Sequence, residues 1–171
     1  MRTDAPADTP ATAPAVQLDD EERDLLRSEV GALLPALRGS GGGSRLAHYQ
    51  ALADAIDEAD APVPAELLPT LESILELALQ TGRARKLYRA EGERILTGVL
   101  RRTPRGRELS SRLGTVNTAL QVVAGQRLDA VNVRMRTLGH YTVTIQSPAA
   151  TLTLAIRPDG IEIESVTAGP A

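Results

Sequence analysis

The sequence predicts an α+β protein: an N-terminal helical part of four to five helices, followed by a four-stranded antiparallel β-meander packed on helix. Three observations predict it. Apolar residues recur three and four apart as far as residue 124. From residue 131 on they recur every second residue. Turn signals rich in glycine and proline punctuate the second stretch at hairpin spacing.

Residues 1–17 hold almost no large apolar side chain, so nothing there offsets the entropy of ordering, and a disordered tail is expected. A first helix is read from about Asp19 to Leu37. Asp19 or Asp20 caps it, Glu21, Glu22 and Asp24 suit its positive end, and Leu26, Val30, Leu33 and Leu37 share one face. Pro35 should bend or end it. Residues 39–44, Gly-Ser-Gly-Gly-Gly-Ser, have the composition of a flexible linker.

The second helix covers about residues 45–59, with Leu46, Tyr49, Leu52, Ala53 and Ile56 inward. Ala61-Pro62-Val63-Pro64 breaks the chain. A third helix follows over about 65–80, with Leu68, Leu71, Leu75 and Leu79 in a stripe, Pro69 able to begin a fresh helix, and Gly82 as a C-terminal stop. The fourth covers about 84–102 with Tyr88, Ile95, Leu96 and Val99 on its apolar face. Gly92 lies on that stripe, where close contact with another helix would explain a residue costing about 1 kcal/mol against alanine.

Thr103-Pro104 reads as an N-cap followed by proline at the first helical position. The fifth helix then extends to about Ala124, with Leu109, Leu113, Val116, Leu120 and Val123 in a seam and Ser110, Gly114, Asn117 and Gln121 in a polar strip beside it. A phosphate on Thr103 would meet four neighbouring arginines, so that residue is a candidate modification site.

In the meander, Val131, Val133 and Met135 alternate with Asn132, Arg134 and Arg136. Gly139-His140 is the expected turn. Tyr141, Val143 and Ile145 follow, then Ser147-Pro148, then Leu152, Leu154 and Ile156. Pro158-Asp159-Gly160 leads to Ile161 and Ile163. One face is apolar and needs a lid, for which the fifth helix is the nearest candidate. The other face carries Arg134, Arg136, Thr142, Thr144, Thr151, Thr153 and Glu162 and should be wet. Residues 125–167 are expected to form one unit with the preceding helices, and 168–171 a short second tail.

Of 171 residues, none is cysteine, phenylalanine or tryptophan, and three are tyrosine. Disulfides, thiolate metal sites and cysteine nucleophiles are excluded, and the core must be aliphatic. The N-terminus lacks the apolar stretch of a signal peptide and no run reaches a membrane span, so a cytoplasmic protein without a membrane partner is expected. The histidines, His48 and His140, are far apart and read as helix surface and hairpin turn. Glu72 and Glu76, and Asp54 and Asp57, read as solvated acidic faces, since a carboxylate bundle site also needs a Glu–His pair three residues apart. Neither a phosphate loop nor a Gly-x-Ser-x-Gly elbow is present.

Charge is segregated. Residues 1–82 hold 5 basic and 15 acidic side chains, residues 83–112 hold 10 and 3, and residues 113–171 hold 4 and 4. The basic block is densest in Arg101-Arg102-Thr103-Pro104-Arg105-Gly106-Arg107, an expected corner between helices where a helix N-terminus and arginines could hold a phosphate. The acidic helices could equally neutralise the block within the fold.

The expected function is a non-catalytic interaction or regulatory protein, without cofactor or metal. It would bind an acidic protein partner through Arg101, Arg102, Arg105 and Arg107, with Arg85 and Arg89 nearby, or through the polar sheet face. The leucine seams would also allow a homo-oligomer. Nucleic-acid binding through residues 83–112 is the alternative, weakened by the scarcity of aromatic rings for stacking. An enzyme of unrecognised geometry is the third reading.

Overall fold

The computed structural model describes residues 15–39 and 43–169. Asp19 opens the chain's first helix, α1 (Asp20–Gly39), with a capping box: Glu22 N–H donates to Asp19 Oδ1 at 2.8 Å, and Asp19 N–H donates to Glu22 Oε2 at 3.0 Å. The helix runs on through Pro35 to Gly39, so the proline neither ends it nor opens the linker expected at 39–44. Gly43 and Ser44 already belong to α2 (Gly43–Asp57), while residues 40–42 of that linker lie outside the described residues.

A 3-10 turn (Ala65–Leu67) precedes α3 (Leu68–Gln80), in which Pro69 sits in the first turn as expected. Gly82, at φ 66°, takes the left-handed conformation that separates α3 from α4 (Arg83–Arg102). Helix α5 (Pro104–Leu120) ends in a second 3-10 turn (Gln121–Val123). Strands β1 (Ala130–Thr137), β2 (His140–Gln146), β3 (Ala150–Arg157) and β4 (Gly160–Ala168) complete the order. The chain forms two compact units, up to Arg105 and from Gly106 on.

The first unit is held by an aliphatic core in which Leu26, Val30, Leu52, Ile56, Leu71, Ile74, Leu75, Leu96 and Val99 are all essentially inaccessible. Val16 and Leu18 join it. Val16 pairs with Val63 in an isolated bridge, Val63 N–H donating to Val16 O at 2.9 Å. Of the expected tail of residues 1–17, Val16 is instead held in the core, since a valine with a core to enter outweighs the polar composition around it; residues 1–14 lie outside the described residues.

Arg23 is buried and makes no ion pair among the described residues. Its guanidinium donates to the carbonyls of Ile56 (2.7 Å), Glu58 (2.8 Å) and Ala61 (2.8 Å), taking up the orphan acceptors where α2 ends.

The second unit is α5 and the sheet. Strand order is β1-β2-β3-β4, all antiparallel, the predicted meander. The first hairpin turns at Leu138-Gly139, one residue earlier than expected, because Gly139 (φ 78°) supplies the left-handed position. Val116, Ala119 and Leu120 of α5 pack on Leu152 and Leu154 with Val143, Ile145, Ile161 and Ile163 around them. The division at Arg105/Gly106 groups the sheet with α5. Two residues of the expected tail at 168–171 are held at the sheet, and residues 170–171 lie outside the described residues. Ala168 is in β4, and Gly169 N–H donates to Ala149 O at 2.8 Å, so close that an added Cβ would meet the Pro148 carbonyl.

Candidate interaction surfaces

The arginine corner carries its own counter-ions. Arg102 Nη2 lies 2.5 Å from Glu22 Oε1, tying the end of α4 to the α1 capping box. Arg105 Nε lies 3.3 Å from Glu76, and the Arg105 backbone N–H donates to Glu72 Oε1 at 2.8 Å. The helix start that the sequence offers to a phosphate is therefore occupied by a carboxylate of α3. Glu72 and Glu76, expected on a solvated face, are part of this contact. Arg83 is held by the buried Glu29 at 2.8 Å, and Arg85 leans on Glu93 at 3.4 Å.

Of the expected contact residues, Arg101, Arg107 and Arg89 are exposed and have no ion-pair partner among the described residues. Thr103 is fully buried and its hydroxyl donates to Leu100 O at 2.8 Å, so the candidate modification site is closed to a kinase in this fold.

Within α4, Arg89 adopts φ 62°, ψ −160°, a region that is essentially glycine's. This break turns Tyr88 toward α1, where its hydroxyl donates to Glu29 Oε1 at 2.9 Å and lies 2.7 Å from Ser28 Oγ. Burial raises the Tyr88 phenol above its ordinary pKa, the Glu29 carboxylate adds to the rise, and the Ser28 bond opposes it. Gly92 is small for the same reason. A Cβ there would stand 2.2 Å from Tyr88 Cβ, so its close contact is with its own broken helix and not with a neighbouring one.

His48 lines an open depression of about 340 Å³ with Arg45, Tyr49, Glu66, Thr70 and Ser73. His48 Nδ1 lies 2.8 Å from Ser44 O, and Ser73 Oγ donates to Pro69 O, so no base is aligned on the serine. No group of three or more histidines or carboxylates that could hold a metal ion occurs among the described residues, and no helix among them is long and apolar enough to cross a membrane.

The sheet departs from expectation on both faces. On the face expected to be wet, Thr142 and its register partner Ala155 are buried, and Thr142 Oγ1 has no hydrogen-bond partner among the described residues. On the apolar face the lid is incomplete. Val131, Val133 and Met135 of β1 stand opposite Ile145, Val143 and Tyr141, yet are 54%, 65% and 64% exposed, and Leu138 in the adjoining turn is 90% exposed.

Width explains this. Four strands spaced ~4.8 Å span roughly 14 Å between outer axes, whereas one helix with its side chains is ~10 Å across. Helix α5 reaches the inner strands and β4 but not β1. The two edges also differ. β4 carries a bulge near Glu164, and its acids pair with Arg157, Arg112 and Arg136. β1 runs in unbroken register from Ala130 to Met135, without proline. Natural edges are normally blunted by bulges, prolines or charges; β1 has Arg134 and Arg136 on its polar face and an irregularity only after Met135, which leaves the apolar row from Val131 to Met135 without a break.

The sequence placed these three residues on the apolar face but not in the open; comparing the width of one helix with that of four strands would have found them. No protein-family model matches the chain, and no curated protein or solved structure matches it.

Proposed function

We propose that the protein is a non-catalytic protein–protein interaction module whose docking surface is the uncovered apolar row of β1: Val131, Val133 and Met135, with Leu138 and Tyr141 at its end. The observation that supports this is an apolar row more than half exposed on an edge strand that keeps its register from Ala130 to Met135. Contiguous apolar patches of this kind mark contact sites in folded proteins, and an open strand edge adds main-chain hydrogen bonds to the pocket-like contacts of alternate side chains.

The charge-led reading has less support. Arg102 and Arg105, expected to meet an acidic partner, already meet Glu22, Glu72 and Glu76. The same internal pairing of Arg83, Arg102 and Arg105 weakens nucleic-acid binding through residues 83–112.

The test is capture of partners from lysate by the full chain and by its Val133→Asp variant. Partners retained by Arg101→Ala/Arg107→Ala but lost from Val133→Asp are expected. The reverse pattern returns the site to the arginine corner.

A further inference from the structure

We infer that the partner of β1 is a second copy of this chain, paired antiparallel through β1 about a two-fold axis at Val133. This rests on the interaction reading above and names its partner.

The inference comes from the register that the strand's own sequence selects. In an antiparallel pair, residues directly opposite lie on the same face of the sheet, so a shift by one residue sets apolar against polar along the whole strand. Two-fold axes falling between residues are thereby excluded, because they put Val133 opposite Asn132 or Arg134.

Among axes passing through a residue, one at Arg134 sets two guanidinium groups directly opposite each other, a destabilising pair. One at Asn132 sets Met135 opposite Asp129 of the partner subunit. The axis at Val133 leaves no conflict. Val133 faces Val133 of the partner subunit, Val131 faces Met135 of the partner subunit, and Asn132 faces Arg134 of the partner subunit. The apolar row becomes continuous across six side chains, between the α5 lid of each copy. Either class of antiparallel pair can lie on the axis, so the backbone imposes no further condition.

The other edge gives no such match. β4 is bulged near Glu164, and its acids are already paired with arginines of the same chain. A β1-to-β1 contact is also isologous and closes as a dimer, whereas β1 on β4 would repeat without closing.

The chain contains no cysteine, so single cysteines report the register directly. Three full-length variants, Val131→Cys, Val133→Cys and Met135→Cys, are treated with a short bis-maleimide at concentrations spanning the dimer transition measured by sedimentation equilibrium. Covalent dimer is expected from Val133→Cys alone, and from a mixture of Val131→Cys with Met135→Cys, at several-fold the yield of either of those two singly. Val133→Asp, at a site already 65% exposed, should keep the wild-type circular dichroism spectrum while weakening association on the order of 100-fold.

A chain that stays monomeric to hundreds of micromolar, or one in which Val131→Cys cross-links to itself as well as Val133→Cys does, overturns the inference. The interaction reading falls separately, only if Val133→Asp also retains every partner that the wild type captures from lysate.

Discussion

In an ordinary exposed helix, replacing glycine by alanine stabilises by about 1 kcal/mol and replacing arginine by glycine costs nearly as much. Helix α4 should invert both signs. At Gly92 an added methyl would stand 2.2 Å from Tyr88 Cβ and 3.0 Å from Tyr88 Cγ, atoms held close to the backbone and unable to swing clear. Relief requires moving Tyr88, which gives up its hydrogen bond to the buried Glu29 carboxylate. A hydrogen bond to a charged group is worth about 1.5–3 kcal/mol. Offset by the propensity gain, Gly92→Ala should destabilise by about 1–2 kcal/mol.

At Arg89 the backbone sits where only glycine is comfortable, at a cost of about 1–3 kcal/mol. Arg89→Gly should therefore stabilise by about 1 kcal/mol, after the greater entropy of the unfolded glycine is allowed for. Urea denaturation followed at 222 nm reads both, in the transition that carries the helical signal of α1–α4. If Gly92→Ala is the more stable variant and Arg89→Gly the less stable, α4 is an unbroken helix and the account of Tyr88, Glu29 and Gly92 is wrong.

Three further outcomes follow from the same contacts. Glu29→Gln keeps the shape of a side chain that is 97% buried but removes the charge that holds Arg83 and Tyr88, and should cost about 2–3 kcal/mol in the same urea experiment. Arg23→Met keeps the apolar stem but strands the carbonyls of Ile56, Glu58 and Ala61, and should cost about 3 kcal/mol, whereas Arg101→Ala should stay within about 0.5 kcal/mol. Because the Tyr88 pKa is raised in the folded state, its contribution is fully present below the unfolded value and is lost as pH climbs through the folded one. Stability should fall above about pH 10, and the Tyr88→Phe variant should lose that part of the fall.

The periodicities were legible because they are local. Every helix and strand follows from apolar spacing and turn residues, and the meander order follows from the short turns at 138–139, 148–149 and 158–159. What the sequence hid depends on long-range partners. Val16 reads as tail until Val63 is brought beside it. Arg89 sits in an ordinary helical run, and nothing local marks the break beside which Tyr88 meets Ser28 and Glu29 of a distant helix. The arginine corner stood out by density alone, but density does not say where Glu22, Glu72 and Glu76 will lie, and these lie on it. The exposure of Val131, Val133 and Met135 was hidden for a different reason. Alternation assigns a face, not a cover, and the cover depends on how far α5 reaches across the sheet.

The claim that β1 is a contact strand is tested most directly by amide hydrogen exchange across a dilution series, read residue by residue over 130–137. In the free chain every second amide of β1 points away from β2 into solvent. Concentrating the protein should slow exchange at those outward amides between Val131 and Met135 by tenfold or more, while the amides of β3 stay unchanged. Outward β1 amides that exchange equally fast at every concentration would contradict the account.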